Sequence, residues 1–134
     1  MSSPSVTQGS GAPLVTVTTT AETAALTSAA LPVNAPGGQG VKVTGTVTGA
    51  TGAGVTSTQV RVYRGAAITG TQIGGTLQES QAASSFYSMD FSALDTAPGA
   101  AQQYTVSVEM VGATGNSTVT YALISAEAAT GTGV

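Results

Sequence analysis

Residues Val41 to Gly65 read VKVTGTVTGATGAGVTSTQVRVYRG, and their periodicity decides the fold class. Val41, Val43 and Val47 fall in one phase while Lys42, Thr44, Thr46 and Thr48 fall in the other. A period of two is what a strand needs to bury one face and wet the other. The alternation resumes with Val60 and Val62 against Gln59, Arg61 and Tyr63. Between the runs lie Gly49, Gly52 and Gly54, read as turn glycines because they enter positive φ without a Cβ clash. The stretch is expected to form two strands joined as a long antiparallel hairpin.

Upstream, Leu14 to Thr20 (LVTVTTT) is β-branched almost throughout and predicts the first strand. Glu22 to Leu31 (ETAALTSAAL) has Ala and Leu at spacings a short helix can use, but the flanking Thr and the following Pro32 favour an extended segment. Pro32 to Gly40 reads as a loop from its prolines and glycines. Residues 1–13, rich in Ser, Gly, Pro and Thr, predict a flexible arm that gains order only from what it touches.

Downstream, Gly65 to Gly70 is a second turn, and Gly74-Gly75 interrupts the run from Ile73 to Leu77, predicting a bulge or kink. Phe86 and Phe91 are five residues apart, so a regular strand places them on opposite faces. Leu94 to Ala101 reads as a Pro-Gly turn with Asp95 as a turn former. Tyr104, Val106, Val108 and Met110 share one phase, and Gly112 to Asn116 is expected to close a hairpin into a strand where Val119, Tyr121 and Leu123 repeat the pattern. Tyr104 and Tyr121 are accordingly core candidates. The chain thus divides into an arm (1–13), a domain (14–127) and a loose tail (128–134). The domain is expected to be all-β, a single antiparallel β-sandwich of about eight strands, with jelly-roll and immunoglobulin-like topologies both open.

A chain of 134 residues fits one such domain. Charged residues make up 7% of it, against about 25% in ordinary soluble domains, and hydrophobic residues reach 41%. Lys42, Arg61 and Arg64 are the only cations, too few to neutralise a run of phosphates, and a pI near 4.4 repels polyanions. Nucleic acid is therefore not an expected partner, nor is a membrane, since nothing approaches a spanning length. So charge-poor a surface points to cover by another protein, the alternative being hydration by Thr, Ser, Gln and Asn. Without cysteine there is no disulfide or zinc-thiolate site. Read as a complete product, the start at Met1 lacks a basic, apolar leader, giving the expectation of synthesis and assembly in a cytosol.

Histidine is also absent, which removes the His-dependent triads and the usual general base at neutral pH. The carboxylates are scattered at Glu22, Glu79, Asp90, Asp95, Glu109 and Glu127, so neither a metal site nor a cofactor is expected. Asp90 and Asp95 are the nearest pair and read as a solvated strand residue and a turn residue rather than a catalytic dyad. Asn116-Ser117-Thr118 matches the glycosylation acceptor pattern but is idle without a secretory signal. Tyr63, out of phase with Val60 and Val62 and flanked by Arg61 and Arg64, is expected at the surface. Tyr and Arg are both enriched at interface centres, so Arg61, Tyr63 and Arg64 are the candidate partner-binding residues.

Three stretches carry a resemblance: VTTTAETAALTSAALPVNAPGGQGVKVTGTVTGATG (17–52), VRVYRGAAITGTQIGG (60–75) and QQYTVSVEMVGATGNSTVTYALISA (102–126). Their Thr-rich strands, glycine-rich hairpin, RVYRG-like strand end and N-S-T-V strand resemble small β-sandwich virion proteins of tailed bacteriophages, the capsid decoration or cement class. The resemblance implies a non-enzymatic protein on the capsid surface that binds the major capsid protein, or another virion protein, and stabilises the shell across subunit boundaries, often as a homotrimer. It brings no catalytic residues. The competing expectation is a cell-surface or phage-fibre module that recognises a glycan or a host surface.

Overall fold

The computed structural model describes residues 5–10, 15–28, 40–96 and 102–128. These form nine strand segments: β1 (Ser5–Ser10), β2 (Val15–Val17), β3 (Thr23–Thr27), β4 (Val41–Ala50), β5 (Ser57–Arg64), β6 (Thr71–Ser80), β7 (Phe86–Asp95), β8 (Tyr104–Val111) and β9 (Ser117–Ala128). β1 and β2 pair antiparallel with β9 one after the other along the same edge, from Ser5↔Glu127 to Ser10↔Ala122 and from Val15↔Val119 to Val17↔Ser117. They act as one interrupted strand. The sandwich therefore has two antiparallel layers four strands wide, β1/β2–β9–β4–β7 (sheet A) and β3–β8–β5–β6 (sheet B).

This order decides between the two topologies. The pairings nest around the turn at residues 65–70: β5 with β6, β4 with β7, β3 with β8, and β1/β2 with β9. An antiparallel ribbon doubled at its midpoint and rolled into two sheets is a jelly roll. Among the described residues, β5 and β6 are the only consecutive strands that pair as a hairpin.

The hairpin expected over Val41 to Gly65 does not form. Both edges of β4 are taken by β7 and β9, and both edges of β5 by β6 and β8, so residues 51–56 arch from sheet A to sheet B. A glycine-rich loop lets the chain reverse but does not choose the layer it enters. The hairpin expected across Gly112 to Asn116 is likewise an arch, from β8 to β9. The two arches are tied together where the Ala53 carbonyl accepts the amides of Thr114 and Gly115 at 2.8 and 3.3 Å.

Gly49 lies inside β4 rather than in the turn, and its role there is close packing. Along the buried phase of β4, the glycines face the rings of β7: Gly45 meets Phe91 and Gly49 meets Tyr87, while Val47 meets Met89 and Val43 meets Ala93. A Cβ on Gly45 would stand 2.5 Å from the Phe91 ring and closer still to the Leu123 carbonyl, so the glycine is what lets β9 and the ring approach. Val41, Val43, Val47, Val106, Val108, Val119 and Ile124 complete a core of fully buried side chains, each stabilising the fold by about 1.5–3 kcal/mol.

Two irregularities shift the phase of the pattern. Val60 pairs with Leu77 but Val62 with Ile73, so three residues of β6 bulge opposite Arg61 where the Gly74-Gly75 pair predicts it. In β9 the register slips by one at Thr120, between Thr48↔Tyr121 and Gly49↔Val119. Beyond that slip Ala122, Ile124 and Ala126 are buried, while Tyr121 and Leu123 turn outward, half-buried. Tyr121 is therefore not a core residue, whereas Tyr104 is fully buried as expected.

Ser5–Ser10, expected within a flexible arm, forms β1 and adds a strand to sheet A. The rest of that arm, most of the 32–40 loop, residues 97–101 and the tail from 129 onward lie outside the described residues.

Candidate interaction surface

β5 delivers the three sequence candidates to two different places. Val60 and Val62 point into the core, so Arg61 and Tyr63 stand on the outer face of sheet B, while Arg64 at the strand end shares the inward phase. Tyr63 is nonetheless only 7% exposed, not the surface residue its phase suggested. Glu22, in the connection before β3, folds over this face. Its Oε2 accepts hydrogen bonds from the hydroxyls of Tyr63 and Ser107 and lies 3.8 Å from Nη1 of Arg61. Burial, and then the bond to Glu22, push the Tyr63 phenol up to about 12.

Arg61 also donates from Nη1 to Glu109 and from Nη2 to Gln59, both at 2.8 Å. Gln59 passes the stripe on to Gln78 at 3.0 Å, and Gln78 donates to Ser57 at 3.2 Å. The outer face of sheet B thus carries a hydrogen-bonded polar stripe crossing β8, β5 and β6, with Glu22 joining it from the connection before β3.

Arg64 belongs elsewhere. It reaches across the sandwich to β7, where Nε and Nη2 donate to the carboxylate of Asp95, and the Tyr104 hydroxyl donates to Asp95 Oδ2 at 2.9 Å. Asp95 has no exposed surface, against 26% for the Arg64 side chain. Its bond to Asp95 raises the Arg64 pKa further, and burial, then Tyr104's own hydrogen bond to Asp95, raise that of Tyr104. Asp95 is therefore a buried inter-sheet anchor, not a solvated turn residue. Asp90 sits in the opposite phase of β7 and is exposed, so the two carboxylates face away from each other.

The outer face of sheet A is of another kind. Thr44, Thr46 and Thr48 of β4 stand beside Ser92, Asp90 and Ser88 of β7, with Thr48 and Ser88 hydroxyls 3.1 Å apart. Phe86 and Leu94, at the two ends of β7, are 88% and 50% exposed, the large hydrophobics that the described surface leaves open. Sequence reasoning split Phe86 and Phe91 between faces, and the structure does so. The missed signal is that Phe86 shares its phase with Ser88, Asp90 and Ser92, whereas Phe91 shares its phase with Tyr87, Met89 and Ala93.

Among the described residues, no group of three or more acidic side chains is placed to hold a metal ion, and no helix is long and apolar enough to cross a membrane.

These sheets define a jelly-roll sandwich. No family model and no curated protein matches the sequence. Solved structures match the fold. A chain of infectious bursal disease virus, Gx strain, superposes with a TM-score of 0.61 at 11% identity, covering 96% of this chain and 33% of that one. A chain of the T13 particle of the same virus gives 0.61 at 12% identity, covering 94% and 31%. Eiger TNF from S. frugiperda gives 0.59 at 12% identity and covers 100% of this chain and 97% of its own. The chain spans about a third of the viral chains it matches. At these identities the likeness is one of fold.

Proposed function

We propose that this is a non-enzymatic virion structural protein that binds an assembled shell and stabilises it, as a capsid decoration protein does. The observation that carries this reading is the fold likeness to chains of a viral particle over 94–96% of this sequence. The absence of His and Cys, which leaves little acid–base or thiol chemistry at neutral pH, supports it. So does a surface poor in charge. On this reading the partner is the major capsid protein or another virion protein, assembly takes place in the host cytoplasm, and a homotrimer presents several weak patches to one symmetric lattice point.

The test is to add the protein to shells that lack it and follow their resistance to heat. A partner that binds only the assembled state stabilises that state by mass action. A rise that saturates at a fixed copy number supports the reading; no binding to shells overturns it. A second reading, a glycan-binding module, is favoured by exposed Phe86 beside the hydroxyls of Ser88 and Thr48, since an open aromatic ring next to hydroxyls can stack a sugar. Specific glycan binding without shell binding selects it.

A further inference from the structure

Each sheet of an open sandwich ends in strands whose outward N–H and C=O groups can pair with another chain, and proteins blunt such edges by shortening, bulging or charging them. Three of the four edges here are blunted. The β1/β2 edge shifts its register against β9, from Ser10↔Ala122 to Val15↔Val119. β3 has five residues and a register shift between Ala24 and Leu26. β6 carries the bulge opposite Arg61, with Gly74 at a φ of 68°. β7 differs from all three. Its ten residues make ten consecutive pairs with β4 without a register shift, and it contains no proline. Among the described residues, no strand pairs with its other edge, and the β6 bulge packs near one end of it, where a Cβ on Gly74 would stand 2.9 Å from Ala93 Cβ and 4.0 Å from the Ser92 carbonyl oxygen.

The hydrogen-bond phase shows which groups face that open side. Residues of an antiparallel strand point their backbone groups alternately to one neighbour and the other. The Thr48 carbonyl accepts from Thr120 of β9, so Thr48 points its backbone groups toward β9 and away from β7. Its partner Ser88 therefore turns its own N–H and C=O to the open edge, and by the period of two so do Phe86, Asp90, Ser92 and Leu94. The side chains of the same five residues are exposed.

We propose that the open edge of β7 is a strand-addition site. It takes an extended segment of another polypeptide with a Lys or Arg opposite Asp90 and apolar residues opposite Phe86 and Leu94. Asp90 selects this occupant. It is the single charge among the five and stands at their centre. A second copy paired antiparallel about the strand midpoint sets Asp90 against Asp90, and like charges directly opposite destabilise a pair. The net charge of -3 adds to that repulsion. A basic strand meets neither penalty. That the segment comes from a shell subunit rests on the function proposed above; the edge chemistry does not.

The experiment follows amide hydrogen exchange residue by residue while two acetylated peptides, Val-Thr-Thr-Thr-Lys-Thr-Thr-Thr-Val and its Glu-for-Lys counterpart, are added. The Lys peptide is expected to slow the amides of Ser88, Asp90 and Ser92 by about tenfold once free peptide reaches roughly nine times its Kd. The Glu peptide does not, and Asp90→Lys exchanges the preference. Ser88→Pro removes one outward N–H while sparing the ladder to β4, and it abolishes the protection. Four results overturn the proposal: slow exchange of these amides in the free protein, equal response to both peptides, no response to either, or self-association that protects the same amides. Should Ser88→Pro fail to fold, the Asp90→Lys exchange still decides. On shells, binding unchanged by both Ser88→Pro and Asp90→Lys overturns the edge as the shell contact and leaves the virion reading standing. Protection by the Lys peptide with no shell binding supports the edge and overturns the virion reading.

Discussion

Arg64 of sheet B and Asp95 of sheet A meet across the sandwich, guanidinium to carboxylate, with the Tyr104 hydroxyl completing the contact. The carboxylate is fully buried while the guanidinium is partly solvated, so the two partners are not equivalent. Removing the cation strands a buried charge; removing the anion leaves a cation that can turn to water.

Arg64→Ala is therefore expected to cost about 3 kcal/mol or more, and Asp95→Asn less. Arg61→Ala, which breaks a cross-strand pair whose side chains are both still reached by solvent, should cost about 1 kcal/mol. Chemical denaturation of the three variants checks the order. Equal losses at positions 64 and 61 would refute the anchor.

Gly45→Ala is expected to destabilise by about 1–3 kcal/mol, because the new methyl meets the backbone of β9 and the Phe91 ring. Gly75→Ala, where a Cβ has nothing within 4 Å, should stay within about 0.5 kcal/mol of the parent. Thermal melts of the two variants test the close approach.

The Tyr63 phenol keeps its proton in the folded protein to about pH 12, whereas the unfolded chain gives it up near 10. Above pH 10 the unfolded state binds fewer protons, so stability falls as pH rises through that window; below it the contribution is fully present. Tyr63→Phe should flatten the decline in unfolding free energy between pH 10 and 12 relative to the parent. An identical slope in both proteins would count against the buried contact with Glu22.

Thr19 holds a φ of 36°, a left-handed conformation that β-branched residues avoid, and its amide donates to Asn116 Oδ1 at 3.1 Å. Thr19→Asn keeps that backbone bond and suits the conformation better. A gain of up to about 1 kcal/mol in a denaturant titration is the expected outcome.

Much of the strand pattern is legible in the chain because residue types alternate where a strand runs straight: Val41, Val43 and Val47 of β4 and Tyr104, Val106, Val108 and Met110 of β8 share the inward phase as read, while β4 and β7 run past their expected ends to Ala50 and Asp95. Partnership is not. The local turn rule joins neighbours in sequence, whereas here the glycine-rich connections at 51–56 and 112–116 are arches between sheets, and the glycines that permit a hairpin permit an arch equally. Tyr121 was misplaced because one extra residue at Thr120 inverts the phase, and no residue type there marks the slip. Tyr63 was expected outside because its cover, Glu22, comes from 41 residues away. Asp95 looked like a turn residue because its partner lies on the opposite sheet. Arg61, Tyr63 and Arg64 are adjacent in sequence yet serve two separate networks, and Phe86 was passed over because phase, not hydrophobicity, decides exposure.

The nested pairing has a consequence for how the molecule is made. β9 is the last strand of the domain to leave the ribosome, and it lies between β1/β2 and β4 in sheet A. Until it emerges, the earliest strands have no neighbour to lie against and one side of β4 stays unsatisfied. The ribbon can zip outward from its midpoint turn during synthesis, but the layer that ties β1/β2 to β4 closes only once β9 has emerged. A pause before β9 emerges thus leaves a half-built sandwich with that seam open.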